Sequence, residues 1–257
     1  MYQDAYDAAA NASIKKFNLL KNNPLGYFVL SMLAGMYIGF GILLAFTVGA
    51  QLGNNPASGL IKGLIFGVAL SLVIIPGAEL FTGNNFVMGS GLFEKKVNFG
   101  QALLLWLVCW IGNLVGALLL SWIFTASGLD MPAVAATFTK AAAAKMSASA
   151  MQLVLRAILC NILVCLAVWS GFQTKDDTAK LIMVWWCLLA FFSSGFEHSV
   201  ANMTTLIVAL MNPVKAAGVV SMGGLWYNLL WATIGNMIGG IIFVALPYWL
   251  ASRSKNN

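Results

Sequence analysis

Two stretches of this chain carry the same polar pattern inside otherwise apolar sequence. Residues 77–84 (GAELFTGN) and residues 195–202 (GFEHSVAN) both read G-x-E-x-x-x-x-N, which places Glu79 and Glu197 at matching positions. A carboxylate is costly to place in hydrocarbon, so such a residue faces a helix-bundle interior or a cavity and indicates function. The doubled pattern therefore predicts a duplicated unit in which two broken helices meet at a central pathway.

The composition predicts an all-α protein that crosses a membrane several times. Of the 257 residues, 60% are hydrophobic and 9% are charged, whereas soluble domains carry about 25% charged residues. The net charge of +6 does not indicate a nucleic-acid partner, because the cations are scattered over loops. One histidine and four cysteines without metal-binding spacing predict no metal site, no cofactor and no enzymatic activity.

Six apolar runs are each long enough to cross the roughly 30 Å hydrocarbon layer as a helix. The second and fifth runs contain the doubled pattern and are interrupted, at Pro76 and Gly77 and at residues 193–195. The runs are 25–50, 60–80 with a continuation to 93, 99–126, 151–172, 181–210 and 219–251. We predict an N-terminal segment (1–24), a channel domain (25–251) and a tail (252–257). Within the channel domain, repeat one (25–126) and repeat two (150–251) are joined by a linker (127–149).

The third and sixth runs also match each other. Residues 112–116 and 235–239 both read G-N-x-x-G, and small residues at this spacing allow helices to pack closely. Two repeats of three spans each must be inverted relative to one another, which is a known transporter architecture.

Six spans place both termini on one side of the membrane. If that side is the cytoplasm, nine cations lie inside and five outside, which fits the positive-inside rule. The inner set is Lys15, Lys16, Lys21, Lys95, Lys96, Lys175, Lys180, Arg253 and Lys255, and the outer set is Lys62, Lys140, Lys145, Arg156 and Lys215.

A helix break in lipid frees backbone groups, which is tolerated only beside protein or a wet cavity. Gly77 and Gly195 supply the backbone freedom, and the N-terminal ends of two half-helices favour an anion between them. We expect Glu79 and Glu197, with Asn84 and Asn202 of the same pattern, to hold the breaks in shape. A pair of kinks without a permeant is the alternative, but kinks alone do not require two buried carboxylates.

His198 follows Glu197 directly and is the one side chain here that ordinarily titrates near physiological pH. Its place at a duplicated break favours a functional role over that of a structural histidine satisfied by a buried acceptor.

These residues resemble the signatures of the formate/nitrite transporter family. Residues 77–84 are similar to its first signature and residues 195–203 to its second, and residues 22–26, 160–167 and 235–236 also fit. The resemblance implies an aquaporin-like fold in a bacterial cytoplasmic membrane, assembled as a homopentamer with one pore in each subunit. It implies permeation by small monovalent anions such as formate, nitrite and hydrosulfide.

The resemblance also implies roles for individual residues. Two apolar constrictions would flank His198, one using Leu80 and Phe191 and the other Leu70, with Phe81 or Val164 beside it. Thr82 and Asn161 would bond to His198 or to the permeant. Lys145 would attract anions at the outer mouth, and Lys15 or Lys16 at the inner one.

Residues 185–191 and 22–26 look most like the nitrite-channel branch, with the hydrosulfide and formate branches as alternatives. Arg156 departs from the family pattern and is either a membrane-surface anchor or part of an anion-attracting vestibule. We hypothesise that the anion crosses as its neutral acid or shares a proton with His198, either of which makes flux depend on pH. A water or glycerol channel would instead show paired N-P-A motifs and a pore arginine.

Overall fold

The computed structural model describes residues 2–212 and 219–253. Helices are the regular structure throughout those two ranges, and no strand occurs within them. Lys215, Lys255 and most of the predicted tail (252–257) lie outside the described residues.

Four helices in the described ranges are long and apolar enough to cross a membrane. They are α2 (Pro24–Leu52), α6 (Phe99–Ala126), α8 (Ala150–Gln173) and a helix over Met222–Ser252, which contains α11 (Met222–Gly240), a π-helical turn (Ile241–Ala245) and α12 (Leu246–Ser252). They match the four uninterrupted apolar runs of the sequence to within about three residues at each end.

The two interrupted runs are divided into shorter helices. The second forms α3 (Ser58–Phe66), α4 (Val68–Ile74) and α5 (Phe81–Phe93), and the fifth forms α9 (Asp177–Ser193) and α10 (Ser199–Met211). Gly77 and Gly195 stand in the two gaps with φ of +87° and +71°, a conformation that side chains with a Cβ disfavour. Each break therefore turns at a glycine.

Two helices occupy segments in which no helix was predicted. The segment before residue 25 forms α1 (Gln3–Asn22), and the linker 127–149 contains α7 (Pro132–Ser147). The rings of Tyr2 and Tyr248 lie 6.1 Å apart, and the Tyr6 hydroxyl donates to the Ala245 carbonyl at 3.1 Å. The start and end of the described chain thus lie together, at what we call the termini end, which holds α1 and α12.

The other end of the molecule, which holds α7, is called the opposite end. Helix α8 begins just after α7, and its 24 residues extend about 36 Å. Near its C-terminus Trp169 contacts Tyr6 of α1, with ring centroids 6.3 Å apart. Helix α8 therefore connects the opposite end to the termini end.

Glycines bring the long helices together in two pairs. A Cβ on Gly116 of α6 would overlap the Met32 carbonyl oxygen of α2, and a Cβ on Gly235 of α11 would overlap the Val154 carbonyl oxygen of α8. Both glycines belong to the G-N-x-x-G patterns. Backbone contacts this close lock α2 to α6 and α8 to α11.

We expect Gly116→Ala to destabilise the protein, because α2 and α6 must separate to admit the methyl group. Overpacking of this kind costs about 1–3 kcal/mol, which thermal unfolding in detergent, followed by tryptophan fluorescence, would show as a lower midpoint. Gly59→Ala is the matched control, since Gly59 is also helical but a Cβ there meets no atom within 4 Å. Equal midpoints for the two variants would contradict the argument.

Candidate functional site

Asn113 of α6 closes the first helix break. Its Oδ1 accepts the Phe81 N–H at the start of α5 at 3.0 Å. Its Nδ2 donates to the Glu79 carbonyl at 2.9 Å and to the Ser31 carbonyl of α2 at 2.7 Å. One buried amide thus satisfies three backbone groups in or beside the break, where lipid could satisfy none.

Asn236 of α11 makes the same three contacts at the second break. Its Oδ1 accepts the Ser199 N–H at 2.9 Å, and its Nδ2 donates to the Glu197 carbonyl at 3.0 Å and to the Ala157 carbonyl at 2.8 Å. Sequence reasoning treated the two asparagines only as part of a packing pattern. The signal that could have revealed this role was an amide at the same place in both patterns.

The two carboxylates of the doubled pattern are buried, with Glu79 8% and Glu197 2% exposed. Glu79 accepts the Lys16 ammonium of α1 at 2.7 and 2.8 Å, and the Asn84 amide at 2.9 Å. A buried charge requires such compensation, because removing it from water costs several kcal/mol.

Glu197 has the matching partners in the second half. The Lys145 ammonium of α7 donates to its Oε2 at 2.9 Å, and the Asn202 amide donates to the same atom. Asn228 of α11 accepts from Asn202 at 2.8 Å and donates to the Lys145 carbonyl at 3.1 Å. Each break therefore carries a neutral Lys–Glu pair, and the two unpredicted helices supply the lysines.

His198 is buried, at 3% exposure, and its ring has a fixed orientation. Its Nδ1 accepts the Ala201 N–H at 3.1 Å as the N-cap of α10. An accepting Nδ1 assigns the proton of the neutral ring to Nε2, which lies 3.1 Å from the Thr82 hydroxyl. A proton on Nδ1 would set two donors face to face and break the cap.

Thr82 is held in place through its carbonyl oxygen. That oxygen accepts the Asn161 amide at 3.2 Å and the Cys165 thiol at 3.4 Å. The Asn161 amide also donates to the Asn236 carbonyl at 2.6 Å, while within the described ranges its Oδ1 has no hydrogen-bond partner. Asn161 thus joins Thr82 to Asn236, which holds the second break, and within the described ranges it makes no hydrogen bond to His198.

Two cavities approach the Thr82–His198 contact, one from each end of the molecule. At the termini end a cavity of about 490 Å³ is lined by Lys16, Glu79, Leu80 and Gly83, among others. On the opposite side a cavity of about 140 Å³ is lined by Lys145, Gly195 and Asn202, among others. Both cavities reach the helix breaks.

An apolar segment with no volume for a water molecule lies between the cavities. Its walls are Ile38, Phe66, Leu70, Val164, Leu188, Phe191 and His198. The His198 and Phe191 rings lie nearly parallel, with centroids 5.8 Å apart. A solute that crossed this segment would shed its water beside one imidazole.

The apolar residues singled out from the sequence line different combinations of these three spaces. Leu70 lines both the termini-end cavity and the apolar segment without room for water, which we call the dry segment. Leu80 lines the termini-end cavity but not the dry segment. Phe191 lines the dry segment and the cavity beside Lys145, and Leu80 lines neither. That Leu80 and Phe191 form one constriction stays a prediction. Val164 lies in the dry segment, and Phe81 lines none of the three spaces.

The structure also separates the candidate lysines. Lys16 lines the termini-end cavity, whereas Lys15 is exposed and does not. The Arg156 side chain is exposed, and its carbonyl accepts the Glu197 N–H at 3.3 Å. Among the described residues no three His, Cys, Asp or Glu side chains are placed to hold a metal ion.

We expect Asn113→Asp to destabilise the protein. A carboxylate cannot donate, so two buried carbonyl oxygens would lose their donor, at about 1–3 kcal/mol each. Asn98→Asp is the control, because Asn98 caps α6 only by accepting from Gln101 at 2.9 Å, which Asp does equally well. Thermal unfolding should show a large loss for the first variant and little for the second, and similar losses would overturn the bridging role.

Known proteins are similar to this chain in sequence and in fold. A family model described as formate/nitrite transporter matches residues 3–250. The nitrite transporter NirC of Escherichia coli (strain K12) is 39% identical over 257 residues, covering 100% of this chain and 94% of that protein.

Two solved structures extend the comparison. A solved FNT family ion channel has a TM-score of 0.92 at 38% identity and covers 97% of this chain and 99% of its own. A solved pentameric formate channel with formate bound has a TM-score of 0.78 at 29% identity, with coverages of 90% and 98%.

Proposed function

This chain belongs to the formate/nitrite transporter family, and on that premise we propose that it conducts nitrite and related weak-acid anions across the bacterial cytoplasmic membrane. The observation that carries the proposal is the Thr82–His198 contact beside a dry apolar segment, with a cavity on either side.

The dry segment sets the mechanism. A bare anion there would lose hydration worth more than one hydrogen bond returns, so the anion crosses as its neutral acid. The His198 ring is a poor source of that proton. If the neutral ring gave up its Nε2 proton it would become an anion, and if Nδ1 were first protonated the hydrogen bond that caps α10 would be lost. The proton therefore comes from hydronium in the solution that enters the cavity, which is left as water once the anion has become its acid, while Nε2–H and the Thr82 hydroxyl orient the passing oxygen atoms. Flux rises as pH falls, because more of the solute is then the acid.

Nitrite is the favoured solute, from the similarity to NirC and from residues 185–191 and 22–26. Formate is the second candidate, because a solved pentameric formate channel has a similar fold. Hydrosulfide is the third, from the branch resemblance alone.

His198→Asn tests the mechanism, because Asn also caps helices but offers no Nε2–H. We expect flux into liposomes to fall about tenfold, the equivalent of one hydrogen bond of about 1.4 kcal/mol. The remaining flux should still rise as pH falls, and the unaltered protein should carry nitrite faster than formate. A variant with unchanged flux would remove His198 from the mechanism, and one with a flat pH profile would make His198 the proton source.

Anion attraction at the two mouths comes from Lys16 and Lys145. Each ammonium is compensated by a carboxylate, so the mouths are neutral overall, but Lys145 uses only one of its three N–H donors on Glu197. Lys180 adds a further cation at the wall of the termini-end cavity and is paired with Asp177 at 2.9 Å.

Lys16→Ala should lower anion flux severalfold, because it leaves Glu79 as an unpaired negative charge on the cavity wall. Lys15→Ala is the neighbouring control and should leave flux unchanged. The double variant Lys16→Ala/Glu79→Gln removes the stranded charge and should recover part of the flux measured in liposomes. If Lys15→Ala and Lys16→Ala behave alike, the Lys16–Glu79 pair has no role in permeation.

The architecture we propose is aquaporin-like, with six spans in two inverted repeats and both termini in the cytoplasm. The support is the matched bonding of Asn113 and Asn236. We also propose that the repeats extend beyond 25–126 and 150–251 to include α1 and α7, because each of these helices supplies the lysine for its own break. A homopentamer follows from the similarity to the pentameric formate channel.

Exposed apolar side chains on the long helices then face lipid or a neighbouring subunit. On α6 these include Leu103, Leu107 and Trp122.

A further inference from the structure

A third cavity lies at the opposite end, outside the route described above. It measures about 530 Å³ and is enclosed by the end of α2, the start of α3 and one side of α7. Lys62 and Lys140 line it, together with the polar residues Asn54, Ser58 and Thr137. It has one lining residue, Phe46, in common with the smaller cavity beside His198.

Lys62 is held at this cavity by packing. Its aliphatic stem lies against Gly49, where an added Cβ would sit 2.9 Å from the Lys62 Cδ. Its ammonium lies 6.0 Å from the centroid of the Phe46 ring, and that ring stacks on Phe138 of α7 at 4.5 Å. The side chain is partly buried, whereas Lys140 across the cavity is exposed. Lys62 is therefore less hydrated at this cavity than Lys140 is.

The cavity has positive charge without a counter-charge. None of the eight acidic residues of the chain lines it, and neither lysine forms an ion pair within the described ranges. By contrast, Lys16, Lys145 and Lys180 each have a carboxylate within 2.9 Å. Two like charges at one partly enclosed space repel each other and attract an anion.

We propose that this cavity binds an anion or an anionic group, held between Lys62 and Lys140 at the opposite end of the molecule. The chemistry is shared by a small free oxyanion and by the phosphate of an anionic lipid headgroup, and lysine ammonium groups bind both as point charges. A volume of about 530 Å³ accommodates either. The inference concerns binding alone and does not rest on the proposed permeation route.

Bromide tests the free-anion source. Crystals soaked in bromide should show an anomalous peak between the two Nζ atoms, and the peak should be lost in Lys62→Gln/Lys140→Gln. Lys62→Arg/Lys140→Arg, which keeps both charges, should retain it. Lys95→Gln/Lys96→Gln, which removes two cations elsewhere, should retain it as well.

Phosphatidylglycerol tests the headgroup source. Native mass spectrometry of the purified protein should show fewer bound phosphatidylglycerol molecules per subunit for Lys62→Gln/Lys140→Gln than for Lys95→Gln/Lys96→Gln. A bromide peak that depends on the two lysines assigns the site to free anions, and a lipid difference assigns it to headgroups. No lysine-dependent peak, together with equal lipid retention by the two Gln variants, would overturn the proposal.

Discussion

The structure depends on two asparagine side chains that form hydrogen bonds with the backbone groups freed where two helices are broken. A helix interrupted inside a membrane exposes N–H and C=O groups that lipid cannot pair. Asn113 and Asn236 each supply one acceptor and one donating amide to these groups. Because both reach across from a long continuous helix, the breaks are held by rigid neighbours, which fixes the first residues of α5 and α10. The Thr82–His198 contact depends on that fixed geometry.

The two helix breaks are also stabilised by helices that lie outside the predicted membrane spans. Helices α1 and α7 each bring one lysine to the carboxylate of a break, so the charges introduced by the doubled pattern are cancelled in pairs. The Lys16–Glu79 pair lies on the wall of the termini-end cavity, and Lys145 lies on the wall of the smaller cavity beside His198. At each break, a carboxylate that supports the fold and a lysine that lines a cavity therefore occupy one small site. A change in either alters both stability and the local field.

The sequence predicted those structural features whose residues lie together in one segment of the chain. The four continuous spans follow from hydropathy, and the two breaks follow from polar residues in apolar runs. Helices α1 and α7 were missed because they are not apolar enough to register as spans, although buried residues such as Tyr6 and Phe138 anchor them.

Contacts between distant segments were beyond the reach of such reasoning. Asn113 meets a backbone group 32 residues away, and Asn236 meets one 37 residues away. Leu70 shares one space with Leu80 and another with Phe191, and this arrangement likewise depends on how α4, α5 and α9 pack, which composition does not encode.

The hydrogen bond from Tyr6 to Ala245 has a consequence for biogenesis. Its two partners are separated by 239 positions, so a chain that emerges from the ribosome N-terminus first makes the bond only after nearly all of it has been synthesised. Helix α1 can reach Glu79 through Lys16 much earlier, across 63 positions. Lys16 of the N-terminal helix can therefore meet Glu79 before the π-helical turn that accepts the Tyr6 hydrogen bond has been synthesised.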